Sequence, residues 1–230
     1  MSERPQRPVA SSIEVFDISQ QPSSAARCVA AAAATVAWLA LCLQLWLVIE
    51  KANTDGTLVS AALWRFFGYF TILTNLLVAI VASAMALKAK NSLRAAPARL
   101  AAATAIVMVG IVYSLALRHV WTLTGWQAVA DHALHDVTPG AFLIAWLLWP
   151  HGGLMWRHGV VAISFPLLYV VYAMARGQID GWYAYWFLDP SALSFLQLGG
   201  NVVLLSATFL AAALSLIALD RWLARRRVKA

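Results

Sequence analysis

Charge is scarce in this chain. Aspartate, glutamate, lysine and arginine make up 12% of its 230 residues, whereas 62% are hydrophobic and the mean hydropathy is +0.72. A soluble domain carries about 25% charged residues, so there is too little polarity here to cover a water-facing surface, and an ordinary soluble class is excluded. Cysteine is nearly absent as well. Cys28 and Cys42 lie in one apolar run, fourteen residues apart, which is about 21 Å along a helix at 1.5 Å per residue. They cannot bridge each other, and they read as two ordinary buried thiols. Acids are the scarcer sign, 10 against 17 basic residues, for a net charge of +7. The bases sit in short clusters between apolar runs and at the C-terminus, the pattern of membrane orientation rather than of nucleic-acid binding. An internal repeat of the inverted-transporter kind is also lacking.

What the chain has is long apolar runs. Six reach or approach the roughly 20 residues that span hydrocarbon: Ala25 to Ile49, Ala61 to Leu87, Leu100 to Leu117, Ala128 to Trp149, His158 to Ala175 and Leu193 to Leu219. Thirteen of the 17 basic residues fall on one side of this arrangement, against Lys51, Arg65, Arg118 and Arg176 on the other. The expectation is an all-α polytopic membrane protein of six transmembrane helices with both termini cytoplasmic. Residues 1–24, with three prolines and no apolar periodicity, read as a flexible cytoplasmic tail. Residues 25–220 form the membrane domain, and 221–230 a basic cytoplasmic tail. The run from Ala25 is too long for a secretory signal.

The acids sort to the non-cytoplasmic ends of the spans: Glu50, Asp55, Asp131, Asp136, Asp180 and Asp189, together with Arg65, Arg118, Arg176, His119, His132 and His135. Both signs at one level point to a polar pocket. Most of the Trp and Tyr residues at that level read as an interfacial belt. On the cytoplasmic side, His151 and His158 flank Gly152 and Gly153 and read as solvated turn residues.

Two groups of residues carry candidate chemistry. Within the second span, Phe67, Gly68, Thr71, Thr74, Asn75 and Val78 share one face by three- and four-residue spacing. A lone membrane Thr commonly bonds a carbonyl one turn back, here Phe67. Gly68 leaves open space beside Thr71, for a helix or for a ligand. The second group is Asp131-His132-Ala133-Leu134-His135-Asp136, followed by Pro139. Asp131 and His135, like His132 and Asp136, are one helical turn apart. A carboxylate on one ring nitrogen fixes the tautomer and makes the other a better base. Three combinations remain open from the residues: Thr71 as nucleophile with His135 as base, a metal site of His132 and His135 with Asp131 or Asp136 and His119, and a proton relay.

Thr71 within Tyr69-Phe70-Thr71, the Asp131 to His135 run followed by Pro139, and Gly181-Trp182-Tyr183-Ala184-Tyr185-Trp186-Phe187-Leu188-Asp189-Pro190 together resemble the androgen-induced-gene family of six-pass membrane proteins, which includes the androgen-dependent TFPI-regulating protein. They are most similar to its bacterial six-pass branch. The resemblance runs from Ala25 to about Leu219. It implies a cofactor-free hydrolase in a bacterial cytoplasmic membrane, acting on lipid-like esters of the kind animal members cleave, fatty acid esters of hydroxy fatty acids. Thr71 would be the nucleophile and His135 the base. Asp131 replaces the Asn of the animal motif, and Asp136 replaces a Thr. On this reading Asp131 orients His135, with His132 and Asp136 in support, and Asn75 is a candidate oxyanion donor. Arg65, Arg118 or Arg176 would hold a substrate carboxylate, and Trp182 and Tyr185 belong to a segment capping the pocket. The alternative is a non-enzymatic lipid-binding or transport protein whose outer-leaflet polar pocket is the binding site.

Overall fold

The computed structural model describes residues 21–87, 92–120 and 122–228, so most of the expected N-terminal tail lies outside the described residues. Every regular element among them is helical: α1 Ser24–Thr54, α2 Val59–Phe66, α3 Phe70–Ala86, α4 Ala96–Val112, α5 Gly125–His132, α6 Thr138–Leu148, α7 His158–Asp180 and α8 Phe195–Val228. Four helical stretches, Ser24–Thr54, Ala96–Leu117, His158–Asp180 and Phe195–Arg226, are long and apolar enough to cross a membrane, and the bent pair α2–α3 makes a fifth if counted as one span. The protein is an all-α, multi-pass membrane protein.

Helix α1 packs through alanine. Ala26, Ala30, Ala33, Ala37 and Ala40 are buried at three- and four-residue spacing, and this smooth stripe lets α3 and α6 approach closely. The two cysteines lie off the stripe, so both thiols are exposed on the bundle surface rather than buried as expected.

The second apolar run is not the continuous helix expected from Ala61 to Leu87. It breaks between Phe66 and Phe70 and bends by 73°. At the break Tyr69 is extended, with φ −85° and ψ 130°. A broken helix exposes backbone polar groups that hydrocarbon cannot satisfy, and here α7 supplies the partners. Tyr169 donates its hydroxyl to the Gly68 carbonyl at 2.8 Å, Tyr172 donates to Phe67 at 3.0 Å, and the Arg176 guanidinium donates to Trp64. These three side chains share a face of α7 by three- and four-residue spacing. Gly68 is required at the break, because a Cβ there would stand 2.6 Å from the Trp182 ring and 2.9 Å from the Arg65 carbonyl. The open space expected beside it is filled by that indole.

Helix α4 ends in a π-helical turn, Tyr113–Leu117, and a second such turn, Ala133–Val137, joins α5 to α6 without interruption. Single π turns inside α-helices recur at functional sites. Here they meet: the Tyr113 and His135 rings stack at 3.8 Å. Pro139, lacking an N–H, leaves the His135 carbonyl without its helical donor. Gly110 lets α4 close on this point, since a Cβ there would lie 3.3 Å from that carbonyl.

At the other end of the bundle, His151 is buried rather than solvated. Its Nδ1 lies 2.9 Å from Asp220 and its Nε2 3.0 Å from the Leu147 carbonyl. The other Asp220 oxygen accepts from the Gly152 and Leu154 amides at 3.0 and 3.2 Å. This cluster fastens the α6–α7 turn to α8. The terminal basic residues do not form a separate tail either, because α8 continues as helix to Val228. Arg226 there lies over Trp222 at 3.9 Å and Arg221 over Trp156 at 5.5 Å.

Replacing Tyr169 by Phe strands the buried Gly68 carbonyl. The expected cost is about 1–3 kcal/mol, read as a lower midpoint in denaturant titration of the purified protein. Tyr172→Phe, at a more exposed hydrogen bond, is expected to cost less.

Candidate functional site

The break in the second run decides where Thr71 stands. It is the second residue of α3, at the helix start rather than well inside a span, and its amide is one of the orphan donors of a first turn. Tyr185 meets that amide, its hydroxyl oxygen accepting at 3.4 Å. The Thr71 hydroxyl does not turn back on Phe67, whose carbonyl belongs to Tyr172. It points across to His135, with Oγ1 3.3 Å from Nε2.

The opposite ring nitrogen fixes the tautomer. His135 Nδ1 lies 3.0 Å from the Asp131 carbonyl and 3.1 Å from its carboxylate. Both are acceptors, so Nδ1 carries the hydrogen and Nε2 presents its lone pair to Thr71. His135 and Asp131 are each 13% exposed, shielded enough to hold this geometry. Tyr113 completes the support by stacking on the imidazole and donating its hydroxyl to the second Asp131 oxygen. No sequence pattern singled out Tyr113. It sits 22 residues from His135 in an otherwise apolar run, and only the meeting of the two π turns brings it in.

His132 and Asp136 form a separate, outward-facing pair. His132 Nδ1 is 2.7 Å from Asp136, with the histidine 60% exposed, and Arg118 engages both Asp136 oxygens. The two histidines therefore serve different carboxylates. Among the described residues, no three His, Cys, Asp or Glu side chains converge as a metal site.

Several expected roles change. Asn75 is fully buried, and its amide nitrogen donates to the Thr71 carbonyl at 2.9 Å and the Leu134 carbonyl at 3.3 Å. Both donor hydrogens are thus committed, which removes Asn75 as an oxyanion donor and makes it the tie between α3 and the histidine turn. Arg118 is neutralised by Asp136. Arg176 is 4% exposed, donates to Trp64 and Tyr172, and lies 3.9 Å over the Trp64 ring. Neither guanidinium is free for a substrate carboxylate. Arg65 is exposed and lies 5.6 Å over Trp182. Trp182 packs edge-on against Tyr69 at 5.4 Å. The segment after α7 folds back over the start of α3, helped by Gly181 at φ +69°, a left-handed helix end that suits glycine.

Thr71 lies at one end of a cleft between α4, α7 and α8, with about 680 Å³ of unfilled space including its mouth. Tyr113, Tyr169 and Tyr185 line it near Thr71, and apolar residues such as Met108, Ile163, Leu205 and Phe209 line the rest. The arrangement offers a hydroxyl beside a histidine of the right tautomer, next to an apolar compartment.

Asn75→Ala is expected to cost about 1–3 kcal/mol by leaving two buried carbonyls unpaired. Asn75→Asp, which turns acceptors toward the same carbonyls, is expected to cost more, and denaturant midpoints of the two variants provide the check. No protein-family model matches this chain, and neither a curated protein nor a solved structure matches it, so its functional reading rests on the geometry of the site.

Proposed function

We propose that this protein is an integral-membrane hydrolase of lipid-like esters with Thr71 as nucleophile and His135 as general base. The observation that carries the reading is the 3.3 Å approach of Thr71 Oγ1 to His135 Nε2 at the end of an apolar cleft. That distance is slightly beyond a tight hydrogen bond, as unliganded catalytic pairs often are. Asp131 and Tyr113 hold the imidazole in the tautomer such a base needs.

In the reaction, Thr71 Oγ attacks the ester carbonyl carbon while its proton passes to His135 Nε2. The tetrahedral intermediate collapses, the alcohol leaves with the proton from His135, and the acyl group remains as an ester on Thr71. Water then attacks that ester with His135 again taking the proton, and the carboxylic acid is released. With Asn75 committed, the Tyr185 hydroxyl takes the oxyanion role. It stands beside the Thr71 amide, and burial pushes its phenol up to about 12, so it stays protonated and able to donate. Arg65 is the guanidinium placed to meet a carboxylate on the leaving group.

The membrane arrangement belongs to the same reading. The path from Gly125 to Leu148 counts as a further span, its first half polar because it carries the site, and the chain then crosses six times. Both termini lie on the cytoplasmic side by the distribution of basic residues. The site faces the outer leaflet, in a bacterial cytoplasmic membrane if the family resemblance holds.

Detergent-purified protein is expected to hydrolyse members of a lipid-ester panel and to label with a fluorophosphonate probe. Thr71→Ala and His135→Ala are each expected to lower kcat by about a thousandfold or more, with labelling lost in Thr71→Ala. Tyr185→Phe is expected to lower kcat by about a hundredfold with little change in KM. Absence of turnover in the wild type, or labelling that survives Thr71→Ala, would remove the nucleophile assignment and leave lipid binding without chemistry.

A further inference from the structure

The cleft beside Thr71 is sharply divided by polarity. At the Thr71 end it is walled by the hydroxyls of Tyr113, Tyr169 and Tyr185, and away from that end no charged residue lines it. Two of the three tyrosine hydroxyls are already committed, Tyr113 to Asp131 and Tyr169 to the Gly68 carbonyl. The polar residue lining the far part is Ser206, whose hydroxyl donates back to the Val202 carbonyl at 2.7 Å and has no hydrogen left for a ligand. A charged group in that part would lose its water with nothing to replace it. Along α7 the cleft runs from Tyr169 to Ile163, six residues or about 9 Å at 1.5 Å per residue. Its shape is that of a channel, with Pro166 in its wall interrupting the helical hydrogen bonds of α7. The rim residue Leu167 is 39% exposed on the bundle surface, so the channel opens sideways toward lipid rather than only upward.

We propose that this channel is the acyl subsite of the hydrolase. It takes one uncharged hydrocarbon arm of the ester, entering from the bilayer between α4 and α7, with Ser206 and Phe209 marking its depth. The proposal rests on the esterase reading for the position of the scissile carbonyl at Thr71, and it adds which part of the substrate lies where. The acyl arm must be a single chain without a terminal charge, and any carboxylate has to sit on the alcohol side, outside the channel.

The test uses full-length protein in detergent, with two independent readouts. The first is hydrolysis of nitrophenyl esters from butyryl to palmitoyl. Each added methylene that enters the channel is expected to raise kcat/KM by about fourfold, up to the length that reaches the floor. Ser206→Leu is expected to shorten the optimum while leaving the butyryl ester unaffected, and comparing the two proteins on the same ester cancels partitioning into micelles. An acyl chain ending in a carboxylate is expected to lose about a hundredfold against its methyl-ended counterpart. The second readout is photolabelling by a palmitoyl ester bearing a terminal diazirine, mapped by mass spectrometry in the Thr71→Ala protein, where turnover is not required. Labels are expected on Ile163, Leu205 and Phe209, competed by methyl palmitate and not by a diacid monoester of equal length. Labels confined to the outer surface of the bundle, equal competition by the charged chain, or an unchanged chain-length optimum in folded Ser206→Leu would each overturn the assignment. Channel labelling without ester turnover in the wild type would instead count against the esterase reading while supporting the acyl-chain site.

Discussion

The structure depends on one constraint: a helix broken inside apolar surroundings must have its freed backbone groups satisfied by side chains. The break between Phe66 and Phe70 exposes the Trp64, Phe67 and Gly68 carbonyls and the Thr71 amide, and Arg176, Tyr172, Tyr169 and Tyr185 answer them one for one. Three of these come from a single face of α7 and the fourth from the segment that follows it. The same contacts that make the break tolerable therefore fix α7, the capping segment and the start of α3 to one another, and they place Thr71 at a helix start with its hydroxyl directed at the bundle interior.

The histidine side of the site is built by a parallel device. Two π-helical turns, at the end of α4 and between α5 and α6, meet where Tyr113 stacks on His135. Gly110 removes the side chain that would hold the helices apart, and Asn75 spends both amide hydrogens joining the Thr71 and Leu134 carbonyls. Thr71 and His135 are thus brought together by backbone irregularities on both partners, each locked by buried hydrogen bonds. A proposed catalytic role for this pair accords with that concentration of backbone irregularity, since departures from regular helix cluster where function needs a particular geometry.

The carboxylates clarify the division of labour. Asp131 faces inward to His135 and Tyr113, whereas Asp136 faces outward to Arg118 and His132. The sequence places the four residues of Asp131, His132, His135 and Asp136 on one turn and a half of helix, where they look like a single cluster. The bundle separates them into a buried pair serving the hydroxyl and an exposed network serving the surface.

Much of this was legible in the residues alone. Composition and the spacing of charges dictated an all-α membrane protein, because so little polarity cannot cover a water-facing surface. The four-residue spacing of Asp131 and His135 dictated a carboxylate behind the imidazole, a local relation that helical geometry enforces. The partnership of Thr71 with His135 was inferred from matching depth and a family resemblance, but its contact distance was not encoded in any local pattern. What only the tertiary structure decided are the relations between distant segments: the 73° bend at Gly68, the stacking of Tyr113 on His135, the use of Asn75, Arg118 and Arg176 as internal ties, and the burial of His151 against Asp220. Each rests on which helix faces which, and in a bundle whose surfaces are nearly all apolar the hydrophobic pattern does not specify that choice. Scattered polar residues do so, by finding partners once the helices are together.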